Sequence, residues 1–168
     1  MNHSIYYREV YAIEINHNFV EKTLADYQVL QTELRVHREY LQMLFNITPA
    51  EMMEVYSIPP LADTESAFQA ILSNDRQYQV TSYLLRTTKG FLDSLSDEER
   101  LLIRLRYLEA KSWACVAEHF HISIPTAKNR RRVKVLDKGV SYFQENPCPP
   151  LPTVKRGLME VIQHAPRL

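Results

Sequence analysis

Hydrophobic residues recur every three or four positions along much of the chain, which is the spacing of amphipathic helices. Between Asn18 and Phe45 they form a broad stripe that predicts one helix of about seven turns. The stripe consists of Val20, Leu24, Tyr27, Leu30, Leu34, Leu41, Leu44 and Phe45. Residues 6–15 fit both helical and alternating spacing, and we interpret them as helix. Whether the stripe forms intramolecular core or an oligomer contact is open at this level.

Proline and glycine mark the ends of the next predicted helices. Pro49 and the Ile58-Pro59-Pro60 sequence bracket a short helix over residues 50–56. Asp63 or Thr64 is a suitable N-cap for a helix that runs to Lys89, with Gly90 as its C-terminal cap. The proline-rich residues 144–152 predict a linker, and residues 154–164 predict a short amphipathic helix.

Residues 96–143 predict three helices in close succession. Ser96 and Glu99 have the spacing of a capping box at the start of the first helix. Ser112 can cap a second, short helix, and Ser123 can cap a third, with Pro125 in its first turn. Because only a few residues connect the second and third helices, the segment has the pattern of a helix-turn-helix.

The third helix can be divided into an inner and an outer face at 100° per residue. Ile124, Ala127, Arg131 and Val135 share the face suited to packing on the second helix. The predicted DNA-binding residues lie on the remaining surface or at the ends of the helices: Lys111, Ser123, Pro125, Thr126, Lys128, Asn129, Arg130, Arg132 and Lys134. An amide and a guanidinium can pair with base edges, and cations at the margins suit phosphates.

A second stripe on the third helix faces away from the second helix. It consists of Val133, Leu136, Val140 and Phe143, spaced three, four and three residues apart. Four such side chains would be costly to leave in water. We therefore expect the stripe to dock either on the early helix over residues 20–45 or on the same stripe of a second subunit, in a homodimer.

The charge is unevenly distributed, although the formal net charge of the 168-residue chain is zero. Residues 1–95 carry 7 Lys/Arg and 12 Asp/Glu, whereas residues 96–143 carry 10 and 6. A basic cluster that coincides with the outer face of the third helix favours a polyanion as the partner. A solvated helix face is the alternative interpretation of the same charges.

The segment resembles region four of bacterial sigma factors and the helix-turn-helix of phage late-transcription activators of the ArpU and RinA kind. The resemblance covers about a third of the chain and rests on Glu99-Arg100, Arg106-Tyr107-Leu108-Glu109, Ser112, Val116-Ala117, Ile122-Ser123 and Thr126-Ala127. It implies a transcription regulator, most plausibly a phage or prophage late-gene activator, that binds promoter double-stranded DNA and contacts RNA polymerase.

Two other functions compete with this interpretation. An alternative sigma factor would need a basic, aromatic-rich region for melted DNA, and the acidic residues 1–95 disfavour it. A helical interaction adaptor would not bind DNA. No catalytic motif is present, so we expect neither an enzyme nor a cofactor. Cys115 and His119 are spaced i, i+4 and followed by His121, but no fourth ligand is evident, which favours a structural over a metal-binding interpretation.

The sequence therefore predicts an all-α protein with three parts. Residues 1–90 form an acidic helical segment of long amphipathic helices for oligomerisation or partner binding, residues 91–143 a helix-turn-helix domain, and residues 144–168 a proline-rich linker with a short helical tail. No apolar run is long enough to cross a membrane, and residues 1–10 lack a signal-peptide pattern. Together with two isolated cysteines, this favours the cytoplasm.

Overall fold

The computed structural model describes residues 14–60 and 62–152, and these residues form helices joined by turns, with no strand among them. None of the helices in this part of the chain has the length and apolar character to span a bilayer. The prediction of an all-α fold is confirmed. The predicted helix over residues 154–164 lies outside the described residues, as does most of the one over 6–15, whose last two residues are not helical.

The helices follow one another with short connections. In chain order they are α1 (His17–Ala25), α2 (Tyr27–Ile47), α3 (Pro49–Val55), α4 (Thr64–Asn74), α5 (Arg76–Ser94), α6 (Asp97–Ile103), a first π-helical turn (Arg104–Leu108), α7 (Trp113–His119), a second π-helical turn (Thr126–Arg131) and α8 (Arg132–Glu145). The backbone is also helical at residues 124–125, so the third helix of the sequence analysis comprises the second π-helical turn and α8.

The described chain divides into two compact units. The first unit comprises residues 14–31 and 84–147, and the second comprises residues 32–60, 62–83 and 148–152. Each unit has its own cluster of buried hydrophobic side chains.

The helix predicted over residues 18–45 is interrupted at Asp26. The backbone N–H of Asp26 donates to the carbonyls of Lys22 and Leu24 and ends α1, and its carbonyl accepts from Leu30 N–H at 2.8 Å. The prediction of one continuous helix is therefore wrong. A one-residue turn in near-helical conformation (φ −87°, ψ 0°) leaves the apolar spacing almost undisturbed, so periodicity does not reveal it.

The helix predicted from residue 63 or 64 to residue 89 is likewise two helices. Asp63 caps α4 as expected, but Asp75 adopts an extended conformation (φ −81°, ψ 113°) and separates α4 from α5. Gly90 does not end α5, which continues to Ser94. Gly90 instead faces Tyr142 from within α5, and a Cβ there would meet the Tyr142 hydroxyl oxygen.

Most of the helix starts that the sequence indicates are confirmed. Ser96 and Glu99 form the complete capping box, and Ser112 Oγ accepts the Cys115 N–H at 3.2 Å. Ser123 Oγ accepts the Thr126 N–H at 3.2 Å, and α3 begins at Pro49. These signals are local, because a cap needs only the three residues that follow it.

In the second unit a buried carboxylate joins four helices. Asp75 Oδ1 accepts hydrogen bonds from His37 Nε2 at 2.9 Å and from the Tyr78 N–H at 2.7 Å, and Oδ2 accepts one from the Tyr56 hydroxyl at 2.7 Å. Burial opposes the charged form of Asp75, but these hydrogen bonds outweigh burial and hold the pKa of Asp75 below its ordinary value. Asp75 thereby links α2, the end of α3, and the junction of α4 with α5.

In the first unit α8 packs on α1. Leu136 and Phe143 are fully buried with Val20 and Leu24 in one cluster, and the Phe143 and Phe19 rings meet edge to face at 5.2 Å. The predicted stripe on the third helix therefore packs within the chain. It contacts α1, which is the first part of the segment over residues 20–45 that was one of its two expected partners. Val133 and Val140 are half-buried.

Asp75 supports a prediction about acid stability. Replacing Asp75 with Asn keeps the shape but removes the charge that three donors stabilise, so we expect a loss of about 1.5–3 kcal/mol in the free energy of unfolding at neutral pH. Because the folded-state pKa is lowered, this contribution is present above the unfolded pKa near 3.9 and is lost as the pH falls through the folded-state value. Urea unfolding between pH 2 and pH 7 (roughly the range of carboxylate titration) measures it.

The control for Asp75→Asn is Asp93→Asn, which removes an exposed carboxylate whose partner among the described residues is Lys89. It should change stability by less than about 0.5 kcal/mol. An Asp75→Asn deficit that does not shrink towards acid pH would contradict the assigned ionisation.

Two glycines give a matched pair of packing predictions. A Cβ on Gly139 would lie 2.6 Å from Val20 Cγ1 and 3.2 Å from Phe91 Cζ, both in the core, whereas the neighbour of Gly90 is the hydroxyl end of the half-buried Tyr142 side chain, which can turn aside. Both alanine variants gain up to about 1 kcal/mol in helix propensity. We expect overpacking to make Gly139→Ala a net loss of about 1 kcal/mol or more, and Gly90→Ala neutral or stabilising.

Thermal unfolding of the two variants, followed by circular dichroism, tests the difference. Equal melting temperatures would show that α1 can move away from α8 at little cost.

Candidate nucleic-acid interface

The turn after α7 is a Schellman motif that directs the chain into the third helix. The Ile122 N–H donates to the Ala117 carbonyl at 3.0 Å, and the His121 N–H donates to the Glu118 carbonyl at 3.1 Å. His121 has a positive φ of 51°, which glycine would adopt with less strain. Four residues, 120–123, thus connect α7 with the next helical backbone.

The beginning of the third helix packs on α7 through a small residue. Ala127 is fully buried in one cluster with Val116 and Ala117 of α7, which lets the two backbones approach closely. Val135 is buried as predicted, but Ile124, expected on the same inner face, is 47% exposed. Thr126 is half-buried, and its hydroxyl lies 2.8 Å from Ser123 Oγ.

The three residues that follow Ala127 are exposed and polar, and the middle one lies about opposite Ala127. Lys128, Asn129 and Arg130 are exposed, and their side chains make no hydrogen bond or ion pair with any described residue. We call these three residues the outer surface of the third helix. The predicted residues Ser123, Pro125 and Lys111 are also exposed, at the start of this helix and just before α7. Cationic side chains suit nucleic-acid phosphates, and an amide side chain suits base edges.

Arg132 lies elsewhere. Its Nε and Nη2 donate to the two carboxylate oxygens of Glu21 on α1, both at 2.7 Å, and the Tyr107 hydroxyl donates to Glu21 Oε1 at 2.6 Å. Arg132 and Glu21 are each only about one quarter exposed. A bidentate pair in a partly buried position is among the stronger charge interactions in proteins. Arg132 therefore joins α8 to α1.

The pKa shifts of Glu21, Arg132 and Tyr107 agree with these hydrogen bonds. The hydrogen bond from Arg132 lowers the pKa of Glu21, and the same bond raises the pKa of Arg132. Burial, followed by the nearby Glu21 carboxylate, raises the pKa of the Tyr107 hydroxyl. At neutral pH the group is a carboxylate held by one cation and one neutral donor.

Acidic residues of α6 compensate the other basic residues that follow the outer surface. Arg131 pairs with Glu98 and also stacks on the Phe120 ring, 4.8 Å from its centroid. Lys138 Nζ lies 2.7 Å from Glu99 Oε1, and Lys134 Nζ lies 3.9 Å from the same atom. Burial works against the ionised form of Glu99, but the Lys138 hydrogen bond and the Ser96 cap outweigh it and lower its pKa.

The second π-helical turn accounts for the different position of Arg132. Its N–H bonds the carbonyl of Ala127, five residues earlier. A π-helical turn accommodates one extra residue and rotates later side chains by about 100° relative to regular α-helical phase. In a regular α-helix Arg132 would share a face with Pro125 and Asn129, whereas in the structure it turns to Glu21.

Three further side chains of α7 lie outside the outer surface of the third helix. Trp113 is half-buried against the core, with the Arg106 guanidinium 5.1 Å from its ring centroid. Cys115 and His119 are exposed on α7. Among the described residues, no three His, Cys, Asp or Glu side chains come together as metal ligands would.

Comparison with known proteins adds no relative. No protein-family model, no curated protein and no solved structure matches the chain.

The sequence does not indicate which acidic residues pair with the basic residues of the third helix, namely Glu21, Glu98 and Glu99. Glu99 was recognised only as half of a capping box, and nothing in the local sequence of Glu21 distinguishes it from other acidic residues of the first 95. Their partners lie 33 to 111 residues away along the chain. Only the packing of α6 and α1 against α8 reveals these pairs.

The Glu21–Arg132 pair supports a stability prediction. Glu21→Gln or Arg132→Gln leaves one partly buried charge without its partner, so each should lower the free energy of unfolding by about 1–3 kcal/mol. The double variant should lose less than the sum of the two, with a coupling energy of about 0.5–3 kcal/mol in a double-mutant cycle. Chemical denaturation measures all four proteins.

The matched control is the exposed Arg35–Glu39 pair on α2, whose atoms are 3.3 Å apart. The same cycle there should give a coupling energy below about 0.5 kcal/mol. Additive effects at Glu21 and Arg132 would mean that the pair does not hold α8 on α1.

Proposed function

We propose that this protein is a sequence-specific double-stranded DNA-binding transcription regulator in which α7 and the third helix act as a helix-turn-helix. One observation carries the proposal: the outer surface of the third helix is the part of its basic cluster that has no internal acidic partner among the described residues. A helix of this kind places its first residues in the major groove.

The distribution of charge supports the interpretation that this surface contacts DNA and is not simply a solvated helix face. Arg131, Arg132 and Lys138 each have a carboxylate within hydrogen-bond distance, and these residues follow the outer surface along the helix. Lys128 and Arg130 have none among the described residues and flank Asn129, which lies about opposite the buried Ala127. A charged surface positioned by a buried face is a typical feature of DNA-reading helices.

The residues of the outer surface can be assigned separate roles. Asn129 can pair bidentately with an adenine edge, whereas Lys128 and Arg130 flank it and suit phosphates. Ser123, Thr126 and Lys111 lie at the approach to the helices and supply hydroxyl and ammonium donors to the DNA backbone. Arg132 has a positioning role through Glu21 and is left out of the contact set.

The resemblance to sigma region four and to phage late activators extends the proposal to the kind of regulation. We infer that the protein activates promoters, in contact with RNA polymerase, as a phage or prophage late-gene activator. Transcription from a bound promoter with holoenzyme and with core polymerase tests this. Activation that needs a sigma factor supports an activator, whereas initiation with core polymerase alone would support an alternative sigma factor.

DNA binding itself can be tested with two exposed residues that make no hydrogen bond or ion pair with the described part of the chain. Lys128→Gln with Arg130→Gln should weaken binding to duplexes of any sequence. The log–log slope of affinity against salt should fall by about 0.9 for each lost phosphate contact, or about 1.8 in total. Fluorescence anisotropy with labelled duplex over a salt series measures both, and the melting temperature should not change.

The control is Arg38→Gln with Arg86→Gln, which removes two exposed positive charges far along the sequence from the third helix. It should leave both affinity and slope unchanged. If the two double variants behave alike, the protein binds DNA, if at all, through its overall charge and the outer surface is not the site.

Base readout requires a separate variant of the same surface. Asn129→Ala should reduce affinity for the selected site by about 1–3 kcal/mol while binding to random duplex barely changes. The site itself comes from sequencing duplexes that the purified protein selects from a random pool. Equal losses on selected and random duplexes would remove Asn129 from the base-reading role.

A further inference from the structure

Ile124, at the start of the third helix, is exposed although its sequence position predicts the inner face. Four large hydrophobic side chains are exposed among the described residues, and three of them, Val29, Val36 and Met43, lie on α2. Ile124 is the fourth. By contrast Ile122, two residues earlier, packs on the core of the first unit. Single exposed hydrophobic residues are common on protein surfaces, so the position of Ile124 decides what it can do.

Ile124 belongs to the first turn of the third helix. Ser123 caps this helix, because its Oγ accepts the Thr126 N–H, so Ile124 and Pro125 are the first two residues after the cap. Both are exposed, and we call them the apolar tip. Helical side chains lean towards the N-terminus of their helix, so those of the first turn project beyond its end. In a helix-turn-helix, residues at this end of the reading helix contact base edges.

The apolar tip is continuous with the outer surface of the third helix. Lys128 follows Ile124 by four residues, and Asn129 follows Pro125 by four. Residues four apart lie on the same side of a helix, one turn from each other. A helix that places Asn129 at a base edge therefore brings the apolar tip to the edges of bases roughly one or two pairs away, since one helical turn rises about 5.4 Å and one base pair about 3.4 Å.

We propose that Ile124 recognises the 5-methyl group of a thymine in the major groove, with Pro125 beside it. The inference rests on the proposed function, because it requires the third helix to enter the groove. Among the groups that the base edges present there, the thymine methyl is the apolar one, and apolar side chains recognise it by contact. An alkyl side chain gains nothing from a charged phosphate, which makes a base edge the partner. Ile124 thereby adds a thymine contact to the adenine contact of Asn129.

Replacement of thymine by uracil tests the proposal, because it removes the 5-methyl group and leaves the base pairing intact. The starting duplex is one that the full chain selects from a random pool. Each of its thymines is replaced in turn, and the affinity is measured by fluorescence anisotropy. Replacement at one position should weaken binding by about fourfold, which corresponds to the burial of one methyl group. Replacement at the other thymines should have little effect.

Ile124→Ala shows whether Ile124 makes this contact. The variant should bind the thymine and uracil duplexes alike at the sensitive position, because the alanine methyl group is too short to reach the base. Its average affinity for random duplexes and its melting temperature should stay close to those of the parent, since the side chain is already exposed. The matched control is Val36→Ala, at a similarly exposed hydrophobic residue of the second unit, and it should keep the full preference for thymine.

Two results would overturn this inference and leave the proposed function standing. In a chain whose DNA binding depends on Lys128 and Arg130, uracil could have no effect at any thymine, or Ile124→Ala could keep the preference of the parent for thymine. The exposure of Ile124 would then fit a contact with a protein such as RNA polymerase. A chain that binds no duplex, or binds equally well without Lys128 and Arg130, would contradict the proposed function and this inference with it.

Discussion

The contact between α1 and α8 determines how the rest of the first unit is arranged. The two helices approach so closely at Gly139 that any side chain there would meet Val20, and Phe143 meets Phe19 edge to face. Because protein cores are close-packed, α8 cannot rotate or slide on α1 without opening a cavity. This contact brings Arg132 to Glu21, and it determines which residues one turn earlier point away from the core.

Charge compensation then separates the basic residues of the third helix into two groups. Glu98 and Glu99 of α6 and Glu21 of α1 neutralise Arg131, Lys138 and Arg132, which hold the helix in place. Lys128 and Arg130 keep their full positive potential at the surface. In a chain with no net charge, this arrangement concentrates the field at one small region instead of spreading it over the helix. The acidic residues that neutralise the rest of the helix therefore confine the uncompensated positive charge to Lys128 and Arg130.

The features that sequence predicted correctly depend on residues close together in the chain. The Ser96 capping box, the Ser112 and Ser123 caps and the proline start of α3 each involve three or four neighbouring residues. The breaks at Asp26 and Asp75 were missed because hydrophobic spacing continues across them. Gly90 was misinterpreted because it lies within α5, facing Tyr142 fifty-two residues away, and not at a helix end.

The sequence indicates where the basic residues of the candidate site lie along the chain but not which way they face, as Arg130, Arg131 and Arg132 illustrate. Three identical, consecutive residues have three different environments: Arg130 is exposed, Arg131 stacks on Phe120 beside Glu98, and Arg132 pairs with Glu21. A helix projects successive side chains about 100° apart, so a run of three necessarily spans most of its circumference. The number of positive charges in such a run cannot indicate how many face a ligand. That depends on which sides of the helix are already covered by α1, α6 and α7, and on the π-helical turn that shifts their phase.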